Sequence, residues 1–113
     1  MLENSLWTQY NPDTTIREVL ARVYGCSAVE IGEDERQLYA ALKRHLTKKE
    51  LKMVIMNEAG CAPEAIAEEV GLDAEALRKA QYKAYRKIRQ EKIRREVNVG
   101  MPQEEPEDNG DEQ

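Results

Sequence analysis

The chain has 113 residues, of which 22 are acidic and 17 are basic, so its formal net charge is −5. A domain of this length buries about two-thirds of its unfolded surface, which is enough for one helical core. Two cysteines without a CxxC pair exclude a disulfide framework, and no apolar run approaches the roughly 20 residues of a membrane helix. Aromatic residues are only 5% of the chain, whereas Ala, Glu, Lys and Arg are abundant, and this balance predicts an all-α fold.

The cellular location is predicted from the N-terminal sequence and the cysteines. Residues 1–10 contain neither a basic start nor an apolar run, so we expect no signal peptide. Cys26 and Cys61 are predicted to be reduced, as small apolar residues in a reducing compartment. We therefore expect a cytoplasmic protein with no membrane partner.

Hydrophobic periodicity predicts about five helices after an irregular N-terminal arm at residues 1–12. The first helix is expected to begin at Asp13 or Thr14, either of which can cap it, and to end at Gly25. A second helix over about residues 34–44 completes a predicted N-terminal helical pair. Apolar residues recur at helical spacing at Ile16, Val19, Leu20 and Val23 in the first helix, and at Leu38, Leu42 and Leu46 in the second.

Capping signals mark the third and fourth helices. Thr47 and Glu50 form a T-x-x-E capping box that opens the third helix, and Gly60 is expected to end it. Pro63 suits the first position of the fourth helix, because the N–H that proline lacks would have no helical partner there. Gly71 is predicted to end this helix after about two turns.

The last predicted helix is long and basic. Asp73 caps it and no breaker follows before Gly100, so it is expected to run from Ala74 to about Glu96, a length of roughly 34 Å at about 1.5 Å per residue. Because its last turns have few apolar residues, the basic end is expected to project from the body. Its bases, among which Glu91 is the only acid, are Arg78, Lys79, Lys83, Arg86, Lys87, Arg89, Lys92, Arg94 and Arg95.

The segment from Gly60 to Leu77 has the pattern of a helix-turn-helix, in which a short helix, a tight turn and a longer capped helix follow one another. Ala67 is small where the two helices must approach each other. Gly71 permits the sharp turn, and Leu72 is expected to fill the space beneath it. In such a unit the second helix lies in the major groove of DNA, with its N-terminal residues at the base edges.

Residues 47–89 resemble region four of bacterial sigma factors. That family has a leucine-led helix, a glycine, an E-I-A-x-x-L-G-I core and a capped helix that ends in A-x-x-x-L-R. The first 46 residues are too short and too poor in aromatics for the region that melts the promoter, so the chain resembles a stand-alone region-four protein. The matching positions are Leu51, Gly60, Ile66, Ala67, Val70, Gly71, Leu72, Asp73, Leu77, Ala84, Ile88 and Arg89.

This resemblance implies a transcription regulator that binds double-stranded DNA with its recognition helix in the major groove. An arginine at the start of that helix suits guanine, and a glutamate suits cytosine. The bases farther along the helix suit phosphates. The predicted base or near-base contacts are Glu75, Arg78, Lys79 and Tyr82, and the predicted phosphate contacts are Lys83, Arg86, Lys87 and Arg89.

A second interpretation is a protein-interaction module that docks on RNA polymerase or another transcription protein without sequence-specific DNA binding. Ala76 and Ala80, where the family commonly has Thr and Arg, favour this alternative. Whether the chain forms a homodimer is left open. The sequence has no nucleophile–base pair, phosphate loop or metal cluster, and His45 is its only histidine, so we expect no enzyme activity, cofactor or metal.

Residues 98–113 are predicted to be a disordered acidic tail, because Gly and Pro stand among acids and amides. No base accompanies the acids after Gly100, which are Glu104, Glu105, Glu107, Asp108, Asp111 and Glu112. Two interpretations are open. The tail is a solubilising end, or it folds back on the basic helix and competes with DNA. In outline, we predict an arm at 1–12, a helical pair at 13–46, a region-four-like unit at 47–97 and the tail at 98–113.

Overall fold

A computed structural model of the protein describes residues 5–97. The prediction of an all-helical fold is confirmed, since this part of the chain contains helices and no strand. Its seven helices exceed the predicted five, and a 3₁₀ turn at Ala28–Glu30 follows the second one. The helices are α1 (Leu6–Tyr10), α2 (Ile16–Tyr24), α3 (Glu35–His45), α4 (Lys48–Glu58), α5 (Pro63–Val70), α6 (Ala74–Ile88) and α7 (Glu91–Val97).

The first extra helix, α1, lies where an irregular arm was expected. Ser5 caps it, since its side chain accepts a hydrogen bond from the backbone N–H of Thr8. Trp7 is only 2% exposed, and its indole N–H donates to the carbonyl of Thr14 at 2.8 Å. An apolar ring with one satisfied polar atom is well suited to a core, and its burial holds this short helix in place.

Local capping signals account for the bounds of the middle helices. The predicted caps Asp13 and Thr14 are wrong: Thr15 caps α2, in a capping box with Glu18. The predicted box of Thr47 and Glu50 does open α4. Gly25 and Gly71 end α2 and α5 in the left-handed conformation, at φ +70° and +74°, which glycine adopts without steric cost.

The prediction of one long, projecting basic helix is wrong. α6 ends at Ile88, and after Arg89 and Gln90 the chain starts the separate helix α7. Ile93 and Val97 on α7 are 0% and 2% exposed and belong to the main core. Burying two such side chains contributes about 1.5–3 kcal/mol each, which exceeds the cost of interrupting an exposed helix. The basic end therefore folds back on the body.

Polar contacts also hold α7 against the body. The N–H of Gly32 donates to the carbonyl of Val97 at 2.8 Å. The guanidinium of Arg94 lies 5.3 Å from the ring centroid of Tyr24, whose hydroxyl donates to the carbonyl of Ile88. Two of the nine bases on the predicted helix, Lys87 and Arg94, thus serve internal contacts rather than projecting into solvent.

The core has two parts that share α4 and α6. The larger cluster joins α1, α2, α3 and α7 to one side of α4 and to the C-terminal half of α6. The smaller cluster lies between α4, α5 and the first turns of α6, and consists of Met53, Met56, Ile66, Val70 and Leu77. No helix in residues 5–97 is long and apolar enough to cross a membrane. The predicted acidic tail lies outside the described residues.

Candidate nucleic-acid interface

A three-residue connection fixes the start of α6 relative to α5. At Gly71 the chain reverses, and the N–H groups of Gly71 and Leu72 both donate to the carbonyl of Ala67. Asp73 then caps α6 by accepting from the N–H of Ala76 at 2.8 Å. Leu72 packs against the smaller cluster and Leu77 is buried in it, so apolar contacts lock both sides of the turn.

Seven of the eight predicted contact residues lie on one exposed face, which is formed by α6 and its C-cap residue Arg89. The buried stripe of this helix is Leu77, Ala84 and Ile88. Because successive residues are rotated by about 100° around the helix axis, the seven contact residues lie on the opposite side. A ridge of this shape, convex and about 15 residues long, has the size that fits the major groove. The exposed face consists of Glu75, Arg78, Lys79, Tyr82, Lys83, Arg86 and Arg89.

Most of the cations on this face are free to bind an external anion. Among residues 5–97, Arg78, Lys83 and Arg86 have no ion-pair partner. Lys79 lies 3.7 Å from the carboxylate of Glu75, but both side chains are more than 70% exposed. An exposed pair of this kind is weak and gives way readily to a phosphate. The face is therefore positively charged over three helical turns.

The two tyrosines of α6 have different environments. Tyr82 is 64% exposed in the middle of the basic face. Tyr85 instead faces α4, where its hydroxyl donates to the carboxylate of Glu58 at 2.6 Å and accepts from the amide of Asn57. Burial and the bond to Glu58 raise the pKa of Tyr85 far above its ordinary value. Tyr82 is thus available to a ligand, whereas Tyr85 links α6 to α4.

Lys87, the eighth predicted contact residue, lies apart from the exposed face. Its Nζ is 2.9 Å from Oε1 of Glu50 on α4, and its side chain is 30% exposed. Burial favours the neutral acid of Glu50, but the hydrogen bonds from Thr47 and the ammonium of Lys87 prevail and lower the pKa of that carboxyl. Lys87 therefore has a partner inside the protein that competes with any phosphate.

Ala80, which stands where the sigma region-four family commonly has arginine, does not lie on the exposed face. It is partly buried and packs against the smaller cluster. An arginine at this position would therefore start from the side of the helix that borders the smaller cluster. Ala80 thus lies outside the exposed basic face of α6.

A second basic surface, which the sequence analysis did not identify, lies beside the start of α4. Lys48 and Lys49 are exposed there and line a groove of about 540 Å³ that also includes Lys43 and Lys52. The sequence signal for this surface is the pair of lysines inside the T-K-K-E capping box, which makes the start of α4 positive. In residues 5–97 no group of three or more His, Cys, Asp or Glu side chains is placed to hold a metal ion.

Comparisons of the chain with protein-family models, with curated proteins and with solved structures found no match. The geometry of α5 and α6 and the charge on their surfaces are therefore the basis for assigning a function.

Proposed function

We propose that the protein is a DNA-binding transcription regulator that uses α5 and α6 as a helix-turn-helix of the sigma region-four type, with α6 as the recognition helix. The observation that carries this proposal is the exposed face of α6, where five unpaired or weakly paired bases accompany an exposed tyrosine. α5 and the turn at Gly71 support α6 from behind through the smaller cluster. This leaves the opposite face open to the major groove.

In this proposal the residues divide into two roles. Arg78 and Glu75 stand in the first turns, where side chains of a recognition helix reach base edges. Lys83, Arg86 and Arg89 follow on the same face and neutralise phosphates, which supplies most of the affinity and makes it depend on salt. Lys87 is excluded from the phosphate set because of its pairing with Glu50.

The test is fluorescence anisotropy of a labelled mixed-sequence duplex titrated with the full chain at about 50 mM and about 200 mM salt. We expect binding that weakens steeply at the higher salt, and clearly weaker binding by the double variant Arg78→Ala/Lys79→Ala. Arg36→Ala is the matched control, since Arg36 is an exposed arginine on α3 without an ion-pair partner among residues 5–97. Equal effects of these variants would contradict the assignment of α6 as the DNA-contacting helix.

A second candidate function is docking on RNA polymerase or another transcription protein. The exposed ring of Tyr82 favours it, because aromatic residues ringed by charge are typical anchors of protein interfaces. Absence of DNA binding at both salt concentrations, for the full chain and for a chain ending at residue 99, would exclude the first proposal. Co-purification of polymerase that survives nuclease and is lost in Tyr82→Ala would then support the second.

A further inference from the structure

A groove between α1, α3, α4 and α5 has an apolar floor and a positive rim. Its volume is about 540 Å³, and its floor includes Leu46, Leu51 and Val70, which are buried side chains at the ends of their helices. Four lysines and one carboxylate, Glu69, stand around it. A groove of this kind selects a ligand that combines apolar groups with several negative charges.

The positive charge of the rim is only partly compensated. Lys52 is 2.7 Å from the carboxylate of Glu69, and the ammonium of Lys43 lies 5.3 Å from the ring centroid of Tyr39. Lys48 and Lys49 are exposed and have no ion-pair partner in the described part of the chain. The two adjacent ammonium groups at the mouth of the groove can therefore pair with a carboxylate from another molecule or from a distant part of this chain.

The chain itself contains such an acid-rich segment. Six of its 22 acidic residues and none of its 17 bases lie in residues 98–113, so the rest of the chain has a formal net charge of +1. Val99, Met101 and Pro102 supply apolar groups at the start of this segment. Leu6 also lines the groove, but the four residues at the start of the sequence contain a single acid, Glu3.

The last turn of α7 contacts the last turn of α3, which borders the groove. Glu96 is ion-paired with Arg44 and hydrogen-bonded to Nε2 of His45 at 2.9 Å, in the last turn of α3. Lys43 and Leu46, on either side of these residues, line the groove. Six extended residues span about 20 Å, which exceeds the roughly 10–12 Å diameter of a helix, so the acids from Glu104 onward can pass the end of α3 and reach the rim.

We propose that residues 98–113 bind in this lysine-rimmed groove of the same chain, with their carboxylates on Lys48 and Lys49. The contacts are individually weak, but covalent attachment gives the segment a high effective concentration at the groove, on the order of millimolar. The face of α6 lacks an apolar floor, and its cations remain free for DNA. This inference does not depend on the proposed function, because it concerns a different surface.

The test is zero-length cross-linking of the full chain with a carbodiimide, which joins a carboxylate to a lysine amine as an amide. Monomeric product is digested, and the linked peptides are identified by mass spectrometry. We expect links from the acids at 104–112 to Lys48 and Lys49, and their loss at about 1 M salt, where charges are screened beyond about 3 Å. A mixture of unlabelled and ¹⁵N-labelled chains establishes whether each link lies within one chain.

Several results would overturn the proposal. Links mainly to Lys79 or Lys83 would place the acidic segment on the face of α6. Links to the groove from Glu3 alone would mean that the N-terminal residues occupy it. Links between labelled and unlabelled chains would mean that the tail of a second copy occupies the groove. Absence of links from residues 98–113 at low salt would also contradict it.

A second measurement uses a variant in which the six tail acids are replaced by their amides, from Glu104→Gln to Glu112→Gln. Acetylation of Lys48 and Lys49 by acetic anhydride is expected to become several-fold faster in this variant, because the carboxylates no longer cover the amines. Lys83 is the internal control and should react at an unchanged rate. An equal change at all three lysines, or no change, would contradict docking in the groove.

Discussion

The ammonium of Lys87 on α6 lies 2.9 Å from Oε1 of Glu50 on α4, and the same oxygen accepts the backbone N–H of Thr47 at 2.9 Å. Glu50 therefore acts twice, once in the capping box of α4 and once as the partner of a lysine from another helix. This contact separates Lys87 from its neighbour Arg86, which is exposed and has no ion-pair partner within residues 5–97.

Arg86→Ala is expected to affect DNA binding, whereas Lys87→Ala is expected to affect stability. Arg86→Ala should weaken DNA binding and lower the slope of log affinity against log salt by about 0.9, the value for one lost phosphate contact. Lys87→Ala should leave that slope unchanged and reduce the free energy of unfolding by about 1–2 kcal/mol, because Glu50 loses its charged partner. Anisotropy titrations and urea unfolding of both variants test this, and the same salt slope change in both would be inconsistent with it.

The lowered pKa of Glu50 predicts how stability depends on pH. A carboxyl with a lower pKa in the folded state binds more protons when unfolded, so its contribution is present above its ordinary value of 4.5 and is lost as the pH falls through the folded pKa. The difference in stability between the wild type and Glu50→Gln should therefore be largest near pH 6 and shrink towards about pH 3. Urea unfolding across this range measures it, with the exposed Glu68→Gln as control. A difference that stays constant with pH would argue against the contact.

The burial of α7 predicts a contrast between two adjacent residues. Ile93 is 0% exposed, whereas Lys92 is exposed. Ile93→Ala should destabilise the protein by about 2–5 kcal/mol, and Lys92→Ala should change its stability by no more than about 0.5 kcal/mol. Urea denaturation followed by circular dichroism compares them. Similar small effects would mean that α7 projects from the body, as the sequence alone had predicted.

Substitution of Gly71 is expected to lower stability through the backbone conformation and not through a steric clash. Its φ is +74°, and a Cβ added there would meet nothing within 4 Å. Gly71→Ala should cost roughly 1–2 kcal/mol from the left-handed conformation alone. Gly71→Asn should cost less, since asparagine tolerates that conformation better. Thermal unfolding of both variants tests this, and equal losses would indicate that a contact rather than the backbone angle sets the cost.

Local sequence determined the helical class, most helix bounds and the exposed face of α6. Helix periodicity, the box of Thr47 and Glu50, the cap Asp73 and the turn at Gly71 each act within a few residues, so their consequences can be predicted without knowing the fold. The alternation of Leu77, Ala84 and Ile88 with bases on the other side likewise follows from the helical repeat alone.

The contacts between distant residues were decided only by the tertiary structure. The break after Ile88 arises because burying Ile93 and Val97 against α3 stabilises the fold more than continuing α6 would. The pairing of Lys87 with Glu50 joins residues 37 positions apart, and the lysine-rimmed groove combines side chains from four helices. No local pattern encodes such contacts, because which charges meet depends on how the apolar faces pack together.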